Sequence, residues 1–370
     1  MNVPDPYVER ALELAARSVG ITEPNPRVGC LLVSSDGTRV LGTGHTQPAG
    51  QAHAEVMALR DAAARGEDVR GATAYVTLEP CAHHGRTGPC CDALVAAGIA
   101  RVVASVEDPN PLVAGQGFDR LRAGGVQVEV GPGAAQAREL NIGFFSRMVR
   151  ARPWVRMKLA ASLDGQTALA NGQSQWITGE AARADGHAWR ARAGALLTGI
   201  GTVLEDDPRL DVRFAPVGRQ PPLVIVDSRL QTPVDADLFG VAQRPVWIYA
   251  AEALPEAQAR LEARGATVTH LPGPGGKVDL AALLKDLAGR GVNELHVEAG
   301  FKLNGSLLRE GLVDEFLVYL APKLLGPGQG MVNIGPLASL ADAVALEFAG
   351  VEPVGPDLRL LARIPGRADF

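Results

Sequence analysis

Along the chain, short runs rich in Val, Leu and Ile alternate with longer stretches whose apolar residues recur on one helical face. The first such stretch opens with Asp5 before Pro6, a capping acid followed by a proline at the first helical position, and carries Leu12, Leu14 and Ala15. The turn Asn25-Pro26-Arg27-Val28-Gly29 leads into an apolar strand from Cys30 to Val33, with a Gly-rich hairpin partner from Val40 to His45. A helix is expected to begin near His53. Ala72 to Leu78 reads as a buried strand delivering Glu79 and Cys81 at its carboxyl end, and Cys90 as the opening of the next helix. Further elements are expected at Val102 to Val106, Phe118 to Ala123, Val126 to Val130 and Ala134 to Phe145. This alternation predicts an α/β sandwich around a mixed or parallel sheet.

The segment Arg147 to Pro153 is basic, lacks an apolar period and ends in proline, so a domain boundary is expected there, dividing residues 1–148 from 149–370. A new strand begins at Trp154 and stops at the turn Asp164-Gly165. Strands are predicted at Ala195 to Gly199, Leu223 to Asp227, Pro245 to Ala250, Thr267 to Leu271, Glu294 to Glu298, Glu315 to Ala321 and Asp357 to Ala362. Helices are predicted at Glu180 to Ala193, Pro255 to Arg264, Leu280 to Arg290 and Phe301 to Glu310, which again describes an α/β unit.

Composition narrows the function. A length of 370 residues favours two domains, and 46% hydrophobic with 21% charged residues suits a globular protein with full cores. A net charge of −5 and 5% aromatics argue against nucleic-acid binding, which needs a basic footprint. The polar, proline-containing start shows no signal peptide, and no apolar run reaches membrane-spanning length. Four cysteines do not make a disulfide framework, and thiolate ligands suit a reducing cytosol, so a cytoplasmic enzyme with no membrane partner is expected. A homo-oligomer is compatible with the sequence.

The candidate chemistry lies in His53-Ala54-Glu55 and in Pro80-Cys81, followed by Cys90. His53, Cys81 and Cys90 are ligand types that Zn²⁺ prefers, and three protein ligands leave a fourth tetrahedral position for water, so one Zn²⁺ per chain is expected. Glu55 sits near enough to move protons without being a ligand, as in zinc-dependent base deaminases. The usual Pro-Cys-x-x-Cys spacing is here stretched to eight intervening residues. Cys91, His83 or His84 as a fourth ligand would close the site into a structural knuckle, but a closed site has no use for Glu55. Cys30, on an apolar strand, reads as a core residue.

Asn25-Pro26-x-Val28-Gly29, Gly42-x-Gly44-His45, His53-Ala54-Glu55 and the run from Thr77 through Cys81 to Cys90 resemble the cytidine-deaminase-like superfamily. More narrowly, they resemble the deaminase half of the bifunctional riboflavin-biosynthesis deaminase/reductase family. Gly88 departs from that pattern, which usually has a second proline there. The resemblance implies that Asn25 and His45 hold a pyrimidine, with residues of the His83 to Arg86 loop nearby. Asn25 could otherwise be only a turn residue before proline.

In the second half no full dinucleotide fingerprint is present; Gly199-Ile200-Gly201 lacks the third glycine, and Glu298-Ala299-Gly300 opening a helix suits a phosphate at a helix N-terminus. Lys158 to Gly165, Ser174 to Thr178, Leu197 to Pro208, Val226-Asp227-Ser228, His296 to Gly300 and Ala321 to Gly326 resemble the family's reductase domain. That resemblance implies a dihydrofolate-reductase-like α/β fold and NADPH as cofactor. It places Ala160, Trp176, Thr202, Asp206, Ser228 and the run Gly300-Phe301-Lys302-Leu303-Asn304-Gly305-Ser306 beside NADPH. It places Ser174, Arg190, Leu210, Arg213 and Glu298 beside a phosphorylated ribosylaminopyrimidine. Ser228 and Arg229 can contribute to a pocket for the cofactor's 2′-phosphate. Asp211 departs from the family's threonine, setting an acid beside the phosphate-facing Arg213. Lys158, among apolar neighbours, needs a partner: substrate or cofactor first, an internal ion pair otherwise.

Overall fold

The computed structural model describes residues 5–82, 88–111, 113–215 and 217–370. The chain divides into two compact units, Met1–Ala151 and Arg152–Phe370.

In the first unit α1 (Pro6–Ala16) precedes β1 (Gly29–Val33), β2 (Val40–His45) and α2 (Ala54–Ala64). Then come β3 (Thr73–Val76), α3 (Cys90–Ala96), β4 (Arg101–Ala104), α4 (Gln116–Ala123), β5 (Gln127–Val130), α5 (Ala134–Leu140) and α6 (Ile142–Arg150). Asp5 caps α1 by accepting the Tyr7 N–H at 2.9 Å. The sheet runs β2-β1-β3-β4-β5, with β1 antiparallel to both neighbours and β3, β4 and β5 parallel. Alternation splits the strands between two layers. Leu31, Val33, Tyr75 and Val103 pack with Val8, Ala11 and Leu14 of α1. On the opposite face Gly44 lets α2 lie directly on β2: a Cβ there would stand 2.2 Å from the Ala54 carbonyl oxygen. This is the expected α/β/α sandwich, although the single helix expected from Ala134 to Phe145 breaks at Asn141 and its second half runs through Arg150. Asn141 ties α5 to a distant loop, its Nδ2 donating to the Ala137 carbonyl at 3.2 Å. Its Oδ1 accepts the Arg27 N–H at 2.7 Å and its Nδ2 donates to the Arg27 carbonyl at 2.9 Å, fixing the loop that carries Asn25.

The second unit begins with β6 (Trp154–Ser162), β7 (Gln166–Leu169), α7 (Glu180–Arg192), β8 (Ala195–Gly199) and α8 (Ile200–Asp206). It continues through β9 (Leu223–Val226), β10 (Val246–Ala250), α9 (Pro255–Glu262), β11 (Ala266–His270), α10 (Leu280–Gly289), β12 (Glu294–Val297) and α11 (Phe301–Arg309). It closes with β13 (Glu315–Ala321), β14 (Gly328–Gly330), β15 (Glu347–Val354) and β16 (Asp357–Arg363). Its main sheet runs β11-β10-β9-β8-β12-β6-β13-β16-β15, parallel from β11 to β13, with an antiparallel edge. Buried Val155, Met157, Leu197, Val224, Leu295 and Val297 pack with Leu283, Leu284 and Leu287 of α10 on one face. The other face carries charge near its centre, where Arg156 pairs with Glu294 and Glu315. β7, α8, β14 and β15 were not expected. β15 is exposed along both faces, so it has no alternation to read, and it contains Gly350 and Pro353.

Candidate active site

Two helix starts and one strand end build the metal centre. His53 is the N-cap of α2 and Glu55 lies in its first turn; Cys81 follows β3, and Cys90 is the first residue of α3. The His53 Nδ1 lies 3.6 Å from the Cys81 Sγ and 3.4 Å from the Cys90 Sγ, and the three ligand atoms all fall within 4.8 Å of one another. Tetrahedral zinc, with Zn–S near 2.3 Å and Zn–N near 2.05 Å, requires S···N separations of about 3.6 Å. The residues therefore fit the ion. The Cys90 amide also points at the Cys81 Sγ, at 3.4 Å, so the start of α3 favours thiolate there. A hydrogen bond from the Cys90 thiol lowers the Cys81 thiol well below its ordinary range, against the opposing effect of burial. Cys91, the alternative ligand, turns away: its thiol donates to the carbonyls of Pro80 at 3.0 Å and Gly117 at 3.4 Å. Burial, then nearby negative charge, pushes it up to about 12. Cys30 is fully buried, as a core residue should be.

Glu55 is 3% exposed, and burial, joined by the Cys81 charge, pushes it up to about 7. It opens with His53 and Cys81 onto a cavity of about 430 Å³ whose wall includes Asn25, Thr46, Asp108, Asn110 and Arg147. Asn25 thus reaches the cavity, besides closing a turn by donating its N–H to the Thr22 carbonyl. His45 does not: its Nδ1 faces the Ser18 hydroxyl at 3.3 Å and the Thr46 carbonyl at 3.2 Å, and it is not part of the described wall. The His83 to Arg86 loop lies outside the described residues. Gly88 is exposed, and a Cβ there would meet nothing. Sequence reasoning missed Asp108, Asn110 and Val113. All three follow β4, Asp108 and Asn110 within the turn-rich Glu107-Asp108-Pro109-Asn110-Pro111 and Val113 just beyond it, at the carboxyl end of a parallel strand, where α/β sheets bind ligands. Burial pushes Asp108 up to about 6.

In the second unit the carboxyl ends of β9, β8, β12 and β6 lie side by side. They bring Ser228, Thr202, Gly300 and Ala160 to one edge, and a Cβ on Gly300 would lie 3.7 Å from the Thr202 Oγ1. Asp206 is exposed at the end of α8. Not all of the run expected beside the cofactor faces outward. Phe301 and Lys302 stand in the first turn of α11, but Leu303 packs into the core and Asn304 donates to the Ala299 carbonyl. Gly305 faces the chain at Asn333, and Ser306 donates to the Lys302 carbonyl. Trp176 is 65% exposed, and the Arg183 guanidinium covers its ring at 4.6 Å. Ser174, close by in sequence, is half-buried.

Glu298 organises the charged residues. Arg190 grips both its oxygens, through Nε and, at 2.9 Å, through Nη2; Lys158 approaches at 3.6 Å. Burial alone would raise Glu298, yet Arg190 and Lys158 hold it well below the ordinary carboxylate range. The remaining Arg190 Nη1 donates to the Asp211 carbonyl at 2.9 Å. Arg190 is thus hydrogen-bonded within the chain, while Lys158, the more open of the two, meets Glu298 by an ion pair alone. Asp211 lies between Arg209 at 3.3 Å and Arg213 at 3.4 Å, so its acidity is matched by two guanidiniums. Arg213 donates its backbone N–H to the His187 Nδ1 at 3.3 Å; Leu210, nearby, is buried with φ 48°.

The two units define an α/β enzyme with a deaminase-type zinc site joined to a second, nucleotide-edge α/β domain. Residues 1–106 match the cytidine and deoxycytidylate deaminase zinc-binding region, and residues 153–360 match the RibD C-terminal domain. The chain is 46% identical over 370 residues to the riboflavin biosynthesis protein RibD of Escherichia coli, covering 96% of this chain and 97% of that protein. It is similar to the solved Acinetobacter baumannii RibD at TM-score 0.87 and 40% identity, covering 96% of this chain and 97% of that one. It is also similar to a Thermotoga maritima diaminohydroxyphosphoribosylaminopyrimidine deaminase/5-amino-6-(5-phosphoribosylamino)uracil reductase, at TM-score 0.85 and 31% identity, covering 97% of each chain. The chain belongs to the RibD family of bifunctional riboflavin-biosynthesis deaminase/reductases. Its cofactors are zinc in the first unit and NADPH in the second.

Proposed function

We propose that the first unit hydrolyses the 2-amino group of 2,5-diamino-6-ribosylamino-4(3H)-pyrimidinone 5′-phosphate, and that the second reduces the ribosyl group of the uracil product to give 5-amino-6-(5-phosphoribitylamino)uracil. The observation that carries the reading is the triad His53, Cys81 and Cys90 at tetrahedral spacing, with Glu55 buried beside it on the cavity wall. His53, Cys81 and Cys90 would hold zinc, which would acidify a water for addition to the ring carbon that bears the amine. Glu55 takes the proton of that water and returns it to the departing amine, which leaves as ammonia. Asn25 meets the pyrimidine edge, and His45 supports the Thr46 section of the wall.

In the second unit NADPH, when bound, would supply the hydride for C1 of the ribosyl group. The strand ends carrying Ala160, Thr202, Ser228 and Gly300 border the cofactor, with Trp176 and Asp206 at the margin, and Ser228 with Arg229 near its 2′-phosphate. Arg213 and Ser174 face the substrate phosphate, with Leu210 shaping the loop, while Arg190 and Lys158 orient Glu298. No helix is long and apolar enough to cross a membrane. Thiolate zinc ligands favour a cytoplasmic setting, and exposed Phe348 and Val351 on the edge strand β15 favour a homo-oligomer. The test is direct: purified chain, the diaminopyrimidine phosphate and NADPH should together release ammonia and lose cofactor absorbance. Loss of absorbance should require prior deamination. Absence of ammonia would overturn the deaminase reading.

A further inference from the structure

Glu79 is 4% exposed, precedes the metal ligand Cys81 by two residues, and takes no part in the chemistry above. Its carboxylate is nevertheless saturated by backbone donors from one distant segment. The Oε1 accepts the Gly117 N–H at 2.8 Å, and the Oε2 accepts those of Gly115 at 3.0 Å and Asp108 at 3.1 Å. Two of these amides stand at the start of α4, among the donors a helix cannot satisfy internally, and a negative charge there also complements the positive helix end. The two segments meet backbone to backbone: a Cβ on Gly117 would lie 2.0 Å from the Pro80 carbonyl oxygen. The Cys91 thiol closes the same junction by donating to both Pro80 and Gly117.

Between the amides that Glu79 holds, the chain contributes Asp108, Asn110 and Val113 to the cavity wall. We propose that Glu79 is a positioning residue for deamination: its carboxylate fixes the substrate-facing residues Asp108, Asn110 and Val113 at a set distance from the metal ligands, and so governs how tightly the pyrimidine is held. Asn110 also depends on this arrangement, because its N–H donates to the Asp108 Oδ1 at 2.8 Å. This inference rests on the deaminase reading of the cavity.

The test uses the full-length, zinc-loaded protein with Glu79→Gln. The variant keeps the side-chain shape but turns one acceptor oxygen into a donor facing N–H groups. Hydrogen bonds to a charged group are each worth about tenfold or more. KM for the diaminopyrimidine phosphate should therefore rise about tenfold or more. kcat should change far less, with zinc content and reduction of the uracil substrate as in the native chain. Hydrogen exchange over residues 107–117 should quicken with zinc still bound. A native KM would overturn the proposal, as would a joint fall of kcat and zinc with KM unchanged, which is what a merely structural residue gives. Should Glu79→Gln fail to fold, Glu79→Asp decides: a raised KM at full zinc occupancy upholds the role, and a native KM overturns it. Failure of the native chain to release ammonia would instead overturn the deaminase reading, so the two failures are distinguishable.

Discussion

The two sites place their charged and ligating groups in opposite ways. In the first unit His53, Cys81 and Cys90 bring three ligand atoms within 4.8 Å of one another, and the acid beside them is buried with no Lys or Arg salt bridge among the described residues. In the second unit Glu298 is paired with Arg190 and Lys158, and Arg190 also holds the Asp211 carbonyl. The first site is arranged for an ion and a proton transfer. The second is a scaffold of internal pairs that fixes strand ends, and those ends meet cofactor and substrate. Reaction chemistry thus resides in side chains at one site and mainly in positioning at the other.

The sharpest way to break this contrast is to remove a ligand. Cys90→Ser should lower zinc from about one ion per chain to a small fraction and abolish deamination, while reduction continues. Metal analysis with separate assays of each step would show it. Retained zinc in Cys90→Ser, with loss in Cys91→Ser, would move the third ligand to Cys91. The reciprocal change is Glu298→Gln, which leaves Arg190 and Lys158 as neighbouring unpaired cations. Breaking a buried pair from one side costs about 3 kcal/mol, so the second unit should unfold at lower urea and reduction should weaken, with deamination spared. An unaltered urea midpoint would mean that the cluster is not the scaffold described.

A smaller effect concerns His187, which Arg190, Arg213, Glu298 and Asp211 surround. Burial, then the two arginines, lowers it from 6.5 to about 4. Between those values the unfolded chain binds a proton that the folded chain refuses, so stability falls as pH drops from 6.5 toward about 4 and is unaffected above. Protonation would also cost the Nδ1 acceptor that holds the Arg213 amide. Unfolding of native and His187→Gln protein at pH 7 and pH 5 should show the larger acid loss in the native chain; equal losses would remove His187 as the cause.

Legibility followed the same divide. The metal triad could be read from residue types because zinc accepts few of them and needs them close; the parallel strands announced themselves by apolar runs such as Leu223 to Val226. The reductase contacts came from family resemblance. Arg190 shows what that route leaves out: its fork on Glu298 joins residues far apart in the chain, and spacing does not reveal such partners. Asp108 and Asn110 escaped notice since their segment has no periodicity, although its place after a parallel strand was a usable signal. β15 escaped because an edge exposed on both faces carries no pattern.

The central claim is that one chain carries two separable chemistries, the first turning on a proton carrier that is not a ligand. Glu55→Gln tests it most directly, with zinc content, ammonia release and reduction of the already deaminated substrate measured on the same preparation. The account predicts full zinc, deamination lowered by about 10²–10⁴-fold, and reduction near the native rate. Near-native ammonia release would contradict the proton-carrier role, and loss of zinc would make Glu55 a ligand and refute the open site.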